Sequence, residues 1–195
     1  RRIHSITSSL VADQYACWHK QLVPEMKKEG IVFKTRDELD AKEKRWLKQY
    51  FENQVYPVLT PMAIDPAHPF PQLGNKTLNI LVSLKQPRTR KQPPMMAIIP
   101  VPRILPRVVH MDMGQSGPQR YIFLSDVVNL FVDQLFPGHK VLGAWAFRIT
   151  RNSDLYIDEE EVENLLKKIE EELYKLRKGD PVRLEIEHDV DEGML

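Results

Sequence analysis

The stretch PVLTPMAIDPAHPFPQLGN, Pro57 to Asn75, constrains this chain more than any other, because prolines stand at 57, 61, 66, 69 and 71. Each ring fixes φ and removes a backbone donor, so neither a helix nor a central strand can run through the segment. A flexible linker would be polar and rich in Gly and Ser. This segment instead offers Val58, Leu59, Phe70 and Leu73 as apolar anchors, and its prolines restrict the unfolded chain to few paths. The expectation is a rigid strap joining two patterned regions. Asp65 and His68 within it have the chemistry of a general base and its orienting partner. In a Pro-rich turn the same residue types more often hold the backbone by local hydrogen bonds, and the strap needs no more than that.

On the N-terminal side, Val11, Tyr15, Trp18, Leu22 and Met26 fall at helical spacing. They predict an amphipathic helix that Pro24 kinks or stops and Gly30 ends. One helix cannot bury its own stripe, so this one is expected to belong to a bundle. DAKEKRWLKQYFENQV predicts a second helix, with Asp40 and Glu43 as a capping box and Trp46, Leu47, Tyr50 and Phe51 inward. Beyond the strap, residues 77–84, 95–101 and 121–124 read as short strands. Ser125 and Asp126 read as the cap of a helix to Leu135, stopped by Pro137 and Gly138.

Residues 143–152 alternate Trp145, Phe147 and Ile149 inward against Arg148 and Arg151 outward, the pattern of a half-buried strand. Val162, Leu165, Leu166, Ile169, Leu173 and Leu176 stripe a long last helix, closed by Gly179 and Pro181. Residues 182–187 alternate as a final strand. Strands mixed with helices, without a βαβ repeat, predict an α+β fold. Its expected form is a mostly antiparallel mixed sheet flanked by helices, preceded by a helix left from an upstream helical domain.

Composition narrows the function classes. The net charge of +1 gives no long-range field, so a polyanion must be held by local clusters, and no nucleic-acid partner is expected. A single cysteine, Cys17, excludes an internal disulfide framework and fits a reducing, cytoplasmic setting. No apolar run approaches the roughly 20 residues that cross a bilayer, and no signal peptide is evident. The chain opens RRIHSITSSL and ends HDVDEGML, which is expected of a piece cut from a longer protein.

Motifs for chemistry are sparse. The six histidines include no pair at i, i+4 on one helix, and Cys17 and His19 point to different helix faces, so no metal site is expected. The acidic run Glu159, Glu160, Glu161 and Glu163 reads as a solvated helix start favoured by the macrodipole. No glycine-rich phosphate loop, nucleophile elbow or CxxC is present. Basic residues carry more. Lys85, Arg88, Arg90 and Lys91 crowd one loop, with Arg103 and Arg107 behind, and read as a solvated hairpin tip. Arg148 and Arg151 sit on a strand, which can hold guanidinium groups in fixed places for phosphate.

YFENQVYPVLTPMAIDPAHPFPQLGNKTLNILV resembles the segment that enters the head (middle) domain of the bacterial-type polyphosphate kinase family. AFRITRNSDLYIDEEEVENLLKKIEEEL, followed by DPVRLEIE, resembles a second block of the same family in the same order. WHKQLVPEMKKEGIVF is similar to the end of that family's N-terminal helical domain. The resemblance implies that residues 1–30 end the helical domain and 31–195 form most of the head domain, incomplete at its C-terminal end. It implies a parent enzyme that transfers the terminal phosphate of ATP reversibly to polyphosphate, through a phosphohistidine and with Mg²⁺. The catalytic residues would lie in other domains of the same chain, so none is assigned here and no ATP, Mg²⁺ or other metal is expected on this part. The head domain would serve a homodimer or higher homo-oligomer and the wall of a nucleotide and polyphosphate tunnel, with Arg148 and Arg151 as wall candidates. The cytoplasmic assignment extends to peripheral attachment at a membrane. Two other readings stand beside this one: a stand-alone interaction or scaffold module without kinase chemistry, and a metal-dependent hydrolase built on Asp65, His68 and the glutamate run.

Overall fold

The computed structural model describes residues 2–64, 70–85, 94–114, 117–152, 179–187 and 190. The chain divides into two compact units, Arg1–Asn53 with Pro106–Leu130, and Gln54–Leu105 with Phe131–Leu195. Residues 31–53 therefore group with the N-terminal helices. The expected last helix and its glutamate run, Asp65 and His68, and Arg88, Arg90 and Lys91 lie outside the described residues.

In the first unit, α1 (Arg2–Cys17) and α2 (Val23–Lys28) are joined by a single π-helical turn, Trp18–Leu22. There the Val23 N–H donates to the Trp18 carbonyl, five residues back. In a regular helix the Pro24 ring would meet the carbonyl four residues back, and the wider turn makes room for it. Of the two effects expected of Pro24, a stop is ruled out: the helix continues to Lys28 and ends at Gly30, as expected, where φ is +79°. No residue of α1 is buried, and Ile3 and Leu10 are 82% and 64% exposed.

The second predicted helix is α3 (Ala41–Tyr50), and its cap is the expected one. The Asp40 carboxylate accepts from Lys42 N–H and Glu43 N–H, while Glu43 Oε2 accepts from Asp40 N–H at 2.8 Å. Leu47 and Phe51 are fully buried, and Trp46 stacks on Tyr50 at 5.6 Å. Burial raises the Tyr50 phenol above its ordinary pKa. Three short strands, β1 (Ile31–Phe33), β5 (Val108–His110) and β6 (Gln119–Phe123), form a sheet in the order β1-β6-β5. The β1–β6 pair is parallel and the β5–β6 pair antiparallel. Val109 and Ile122 face the core from one side. On the other, Phe33, Tyr121 and Phe123 form an aromatic row, with Trp18 packed on Phe33 at 5.4 Å and His110 stacked on Tyr121 at 4.8 Å. The helix expected after Ser125 begins one residue earlier, as α4 (Leu124–Leu130), and buries Leu124, Val127 and Val128. It breaks at Phe131, after which Val132–Leu135 form a 3₁₀ turn rather than more α-helix.

The second unit is built on a five-stranded antiparallel sheet in the order β2-β4-β3-β7-β8. Its strands are β2 (Met62–Ile64), β3 (Asn79–Lys85), β4 (Met95–Pro100), β7 (Lys140–Arg151) and β8 (Pro181–Ile186). β3 is central and buried from Asn79 to Leu84, so both its faces are covered: Ile80, Val82 and Leu84 make one face apolar, and Asn79 and Ser83 flank Leu81 on the other. Leu81, Ile98 and Phe147 form one core cluster with Leu73 of the strap. Trp145 lies over Gly143, where a Cβ would enter the indole ring. The proline segment contributes β2 at the sheet edge, the one place where such a sequence can pair. Of its expected anchors, Leu59 and Leu73 are buried, whereas Val58 and Phe70 are 38% and 56% exposed. The fold is α+β, with one mixed and one antiparallel sheet flanked by helices.

Candidate functional site

The two arginines singled out in the sequence sit on β7, and each already has a partner. Arg148 stands directly opposite Glu185 of β8. Its Nε donates to Glu185 Oε2 at 2.6 Å and its Nη2 to Oε1 at 2.9 Å, a bidentate pair that leaves the arginine side chain 55% exposed. Arg183 Nη2 reaches the same carboxylate at 3.1 Å. The hydrogen bond from Arg148 holds the Glu185 carboxyl below the ordinary glutamate pKa against the opposing effect of burial, aided by the charges of Arg148 and Arg183.

Arg151 is half-buried rather than outward. Counted strictly, the alternation of β7 puts Arg151 on the face of Trp145, Phe147 and Ile149, opposite to Arg148, so the outward expectation for Arg151 is corrected. The β7–β8 register shift between Thr150 and Arg151 leaves its extra residue, Val182, on β8. Its Nε donates to the Leu73 carbonyl at 3.0 Å and its Nη1 to the Gly179 carbonyl at 2.8 Å. Its backbone N–H donates to Asn75 Oδ1 at 2.9 Å, and Lys76 N–H donates to the Ile149 carbonyl at 2.8 Å. Together these bonds lace the C-terminal part of the proline strap to β7. The pair thus differs in kind: Arg148 is a surface cation held on a rigid strand, and Arg151 is a clamp.

A second polar cluster, in the first unit, escapes sequence reasoning. Glu43 is fully buried. Its Oε1 lies 3.8 Å from Lys34 Nζ and 3.5 Å from Arg120 Nε, and has no hydrogen-bond partner. The capping box locates Glu43 in the sequence, but its burial depends on Lys34 and Arg120, which no local pattern connects to it. Among the described residues, no group of three or more His, Cys, Asp or Glu side chains could hold a metal ion. No described helix is long and apolar enough to cross a membrane.

Comparison with known proteins decides the family. Residues 42–195 match the family model for the polyphosphate kinase middle domain. The chain belongs to the polyphosphate kinase family. It is 44% identical over 189 residues to the polyphosphate kinase of Xylella fastidiosa (strain 9a5c), covering 96% of this chain and 27% of that protein. It is 41% identical over 187 residues to the polyphosphate kinase of Pseudomonas aeruginosa, covering 95% of this chain and 27% of the relative. The chain spans about a quarter of the length of the curated relatives it matches. The crystal structure of polyphosphate kinase from Porphyromonas gingivalis shares the fold, with a TM-score of 0.69 at 23% identity, over 85% of this chain and 28% of that one. Within the polyphosphate kinase middle domain, the match takes in the strap and the whole five-stranded sheet, including Arg148 and Arg151.

Proposed function

We propose that this chain is a non-catalytic part of a longer polyphosphate kinase, an enzyme that moves the terminal phosphate of ATP reversibly to inorganic polyphosphate. The observation that carries the reading is the match along nearly the whole chain to relatives of which it covers only 27%. Phosphoryl transfer depends on positioning and on cations that stabilise charge spread over phosphate oxygens. In this proposal the phosphohistidine and the groups that hold ATP and Mg²⁺ belong to other domains. The described residues of this part bring together no group of His, Cys, Asp or Glu side chains suited to a metal ion.

The part played by this segment is architectural. Residues 1–30 close the helical domain, and 31–195 form the middle domain that supports a homodimer and shapes the nucleotide and polyphosphate tunnel. Arg148 is the stronger wall candidate, since its guanidinium is fixed by Glu185 yet more than half exposed. Arg151 contributes by holding the strap against the strand behind that wall. The setting is cytoplasmic, with peripheral membrane attachment compatible with it.

The test uses the full-length protein. Arg148→Ala, alone and with Arg151→Ala, is expected to shorten the polyphosphate product and weaken polyphosphate affinity while leaving the melting temperature of the single variant near that of the parent. An unchanged chain-length distribution and affinity in both variants would remove the pair from the wall. Light scattering on the same protein is expected to give at least twice the monomer mass; a monomer would contradict the dimer.

A further inference from the structure

Between α2, β1 and β6 a pocket of ≈ 360 Å³ opens to solvent, and it plays no part in the reading above. Its polar lining is Lys27, Lys34, Arg120 and Glu38, with Phe33 and Pro118 among its apolar walls. Lys27 and Lys34 are near neighbours in sequence, whereas Arg120 comes from the distant strand β6, so the fold completes the cluster.

Glu43 sets the two inner cations. Its side chain is 1% exposed and one oxygen is taken by the Asp40 N–H. The other attracts Lys34 and Arg120 from 3.8 and 3.5 Å, beyond the 2.7–3.2 Å of an ordinary N–H···O bond. The carboxylate therefore holds both heads by charge without consuming their donors. Lys34 spends one donor on the Glu38 carbonyl at 3.1 Å, and an ammonium has three. The two side chains are only 23% and 28% exposed, which limits their motion.

Glu38 supplies the opposite chemistry. Its Oε2 accepts from the Thr35 N–H at 2.9 Å. That hydrogen bond, with one from the Thr35 side chain and the charges of Lys34 and Lys27, holds its carboxyl below the ordinary pKa. An ionised carboxylate only accepts. The pocket thus presents cationic donors on several sides and one obligate acceptor.

We propose that this pocket binds a phosphate oxyanion that still carries a proton, either orthophosphate or the terminal phosphate of a phosphate chain. The phosphate oxygens accept from Lys27, Lys34 and Arg120, and the remaining P–O–H donates to Glu38. Phosphate titrates near neutrality, so the protonated form is available. Sulfate has the same tetrahedral shape and no proton at that pH, so its lone pairs would face the Glu38 carboxylate. A polar group left facing a group of its own kind is the strongest source of discrimination between isosteres. The pocket shares no residue with the tunnel wall, and the two proposals fail independently.

Isothermal titration calorimetry on the 195-residue chain near neutral pH tests this, with inorganic phosphate, sulfate, tripolyphosphate and ATP as separate titrants. Phosphate is expected to give a saturable heat, and sulfate to bind at least about tenfold more weakly, the order of one lost charged hydrogen bond. Lys27→Gln, at an exposed position, is expected to weaken phosphate. Glu38→Gln retains a side chain that can complete the Thr35 capping box, and is expected to bring phosphate and sulfate to similar affinity. Circular dichroism on both variants confirms that they fold. Tripolyphosphate or ATP binding more tightly than orthophosphate would support the site and identify a chain end or nucleotide as its source, and the reverse order would support it with free phosphate as the source. No saturable heat with phosphate, sulfate binding as tightly as phosphate, or discrimination that survives Glu38→Gln would overturn the proposal.

Discussion

Replacing Arg151 with Met separates a clamp from a phosphate ligand. Methionine keeps much of the apolar stem of the arginine and removes both side-chain donors. The Leu73 and Gly179 carbonyls then lose bonds of 3.0 and 2.8 Å, while the Asn75 bond to the backbone N–H of residue 151 survives. A hydrogen bond from a charged donor contributes about 1.5–3 kcal/mol, and the half-buried setting favours the lower end, so two such bonds cost about 3 kcal/mol. For a chain of this size that lowers the melting temperature by about 6–12 °C. Arg148→Met is the control. It removes a bidentate pair, but one whose arginine is 55% exposed, and exposed pairs contribute only about 0–1 kcal/mol. Urea unfolding followed by tryptophan fluorescence reports on the same sheet, because Trp145 lies on β7. Equal destabilisation by the two variants would refute the clamp.

Other expectations follow from the same geometry. Glu43→Ala leaves Lys34 and Arg120 without their buried counter-charge and breaks the α3 capping box, and urea unfolding is expected to show a loss of about 3–5 kcal/mol; a loss under about 1 kcal/mol would mean the cluster is solvated. The Glu185 carboxyl is held below its ordinary pKa when folded, so its stabilising contribution is present at neutral pH and is lost as pH falls from the ordinary glutamate range through the lowered folded value. The difference in urea midpoint between the parent and Glu185→Gln is therefore expected to shrink in acid, and a constant difference would contradict the assignment.

What was legible in the sequence was local. The Asp40–Glu43 capping box needs only four residues in a row, and it forms as expected. β3, β4 and β7 are long enough for their apolar runs or alternation to declare them. β1, β2 and β5 are three residues each, too short for a period to register, and β2 is hidden inside the proline segment. That segment nevertheless behaves as a strap, since Leu73 enters the core and its neighbours are tied to β7. A stop at Pro24 fails to form for a physical reason: a proline stops a regular helix, but one widened turn absorbs it, and that choice depends on the whole helix. The candidate sites were legible only as residue types. Arg148 and Arg151 differ in strand parity and so lie on opposite faces of β7, but their partners Glu185, Leu73 and Gly179, like the residues of the Glu43 cluster, are brought to them only by the folded chain.

The central claim is that this chain is an architectural part of a polyphosphate kinase, with the chemistry carried elsewhere in the protein. The most direct measurement incubates the 195-residue chain, shown by circular dichroism to be folded, with radiolabelled ATP and Mg²⁺ beside the full-length protein. The account expects labelled protein and polyphosphate from the full-length protein and neither from the chain alone. ATP-dependent polyphosphate synthesis by the chain alone, or none by the full-length protein, would contradict it.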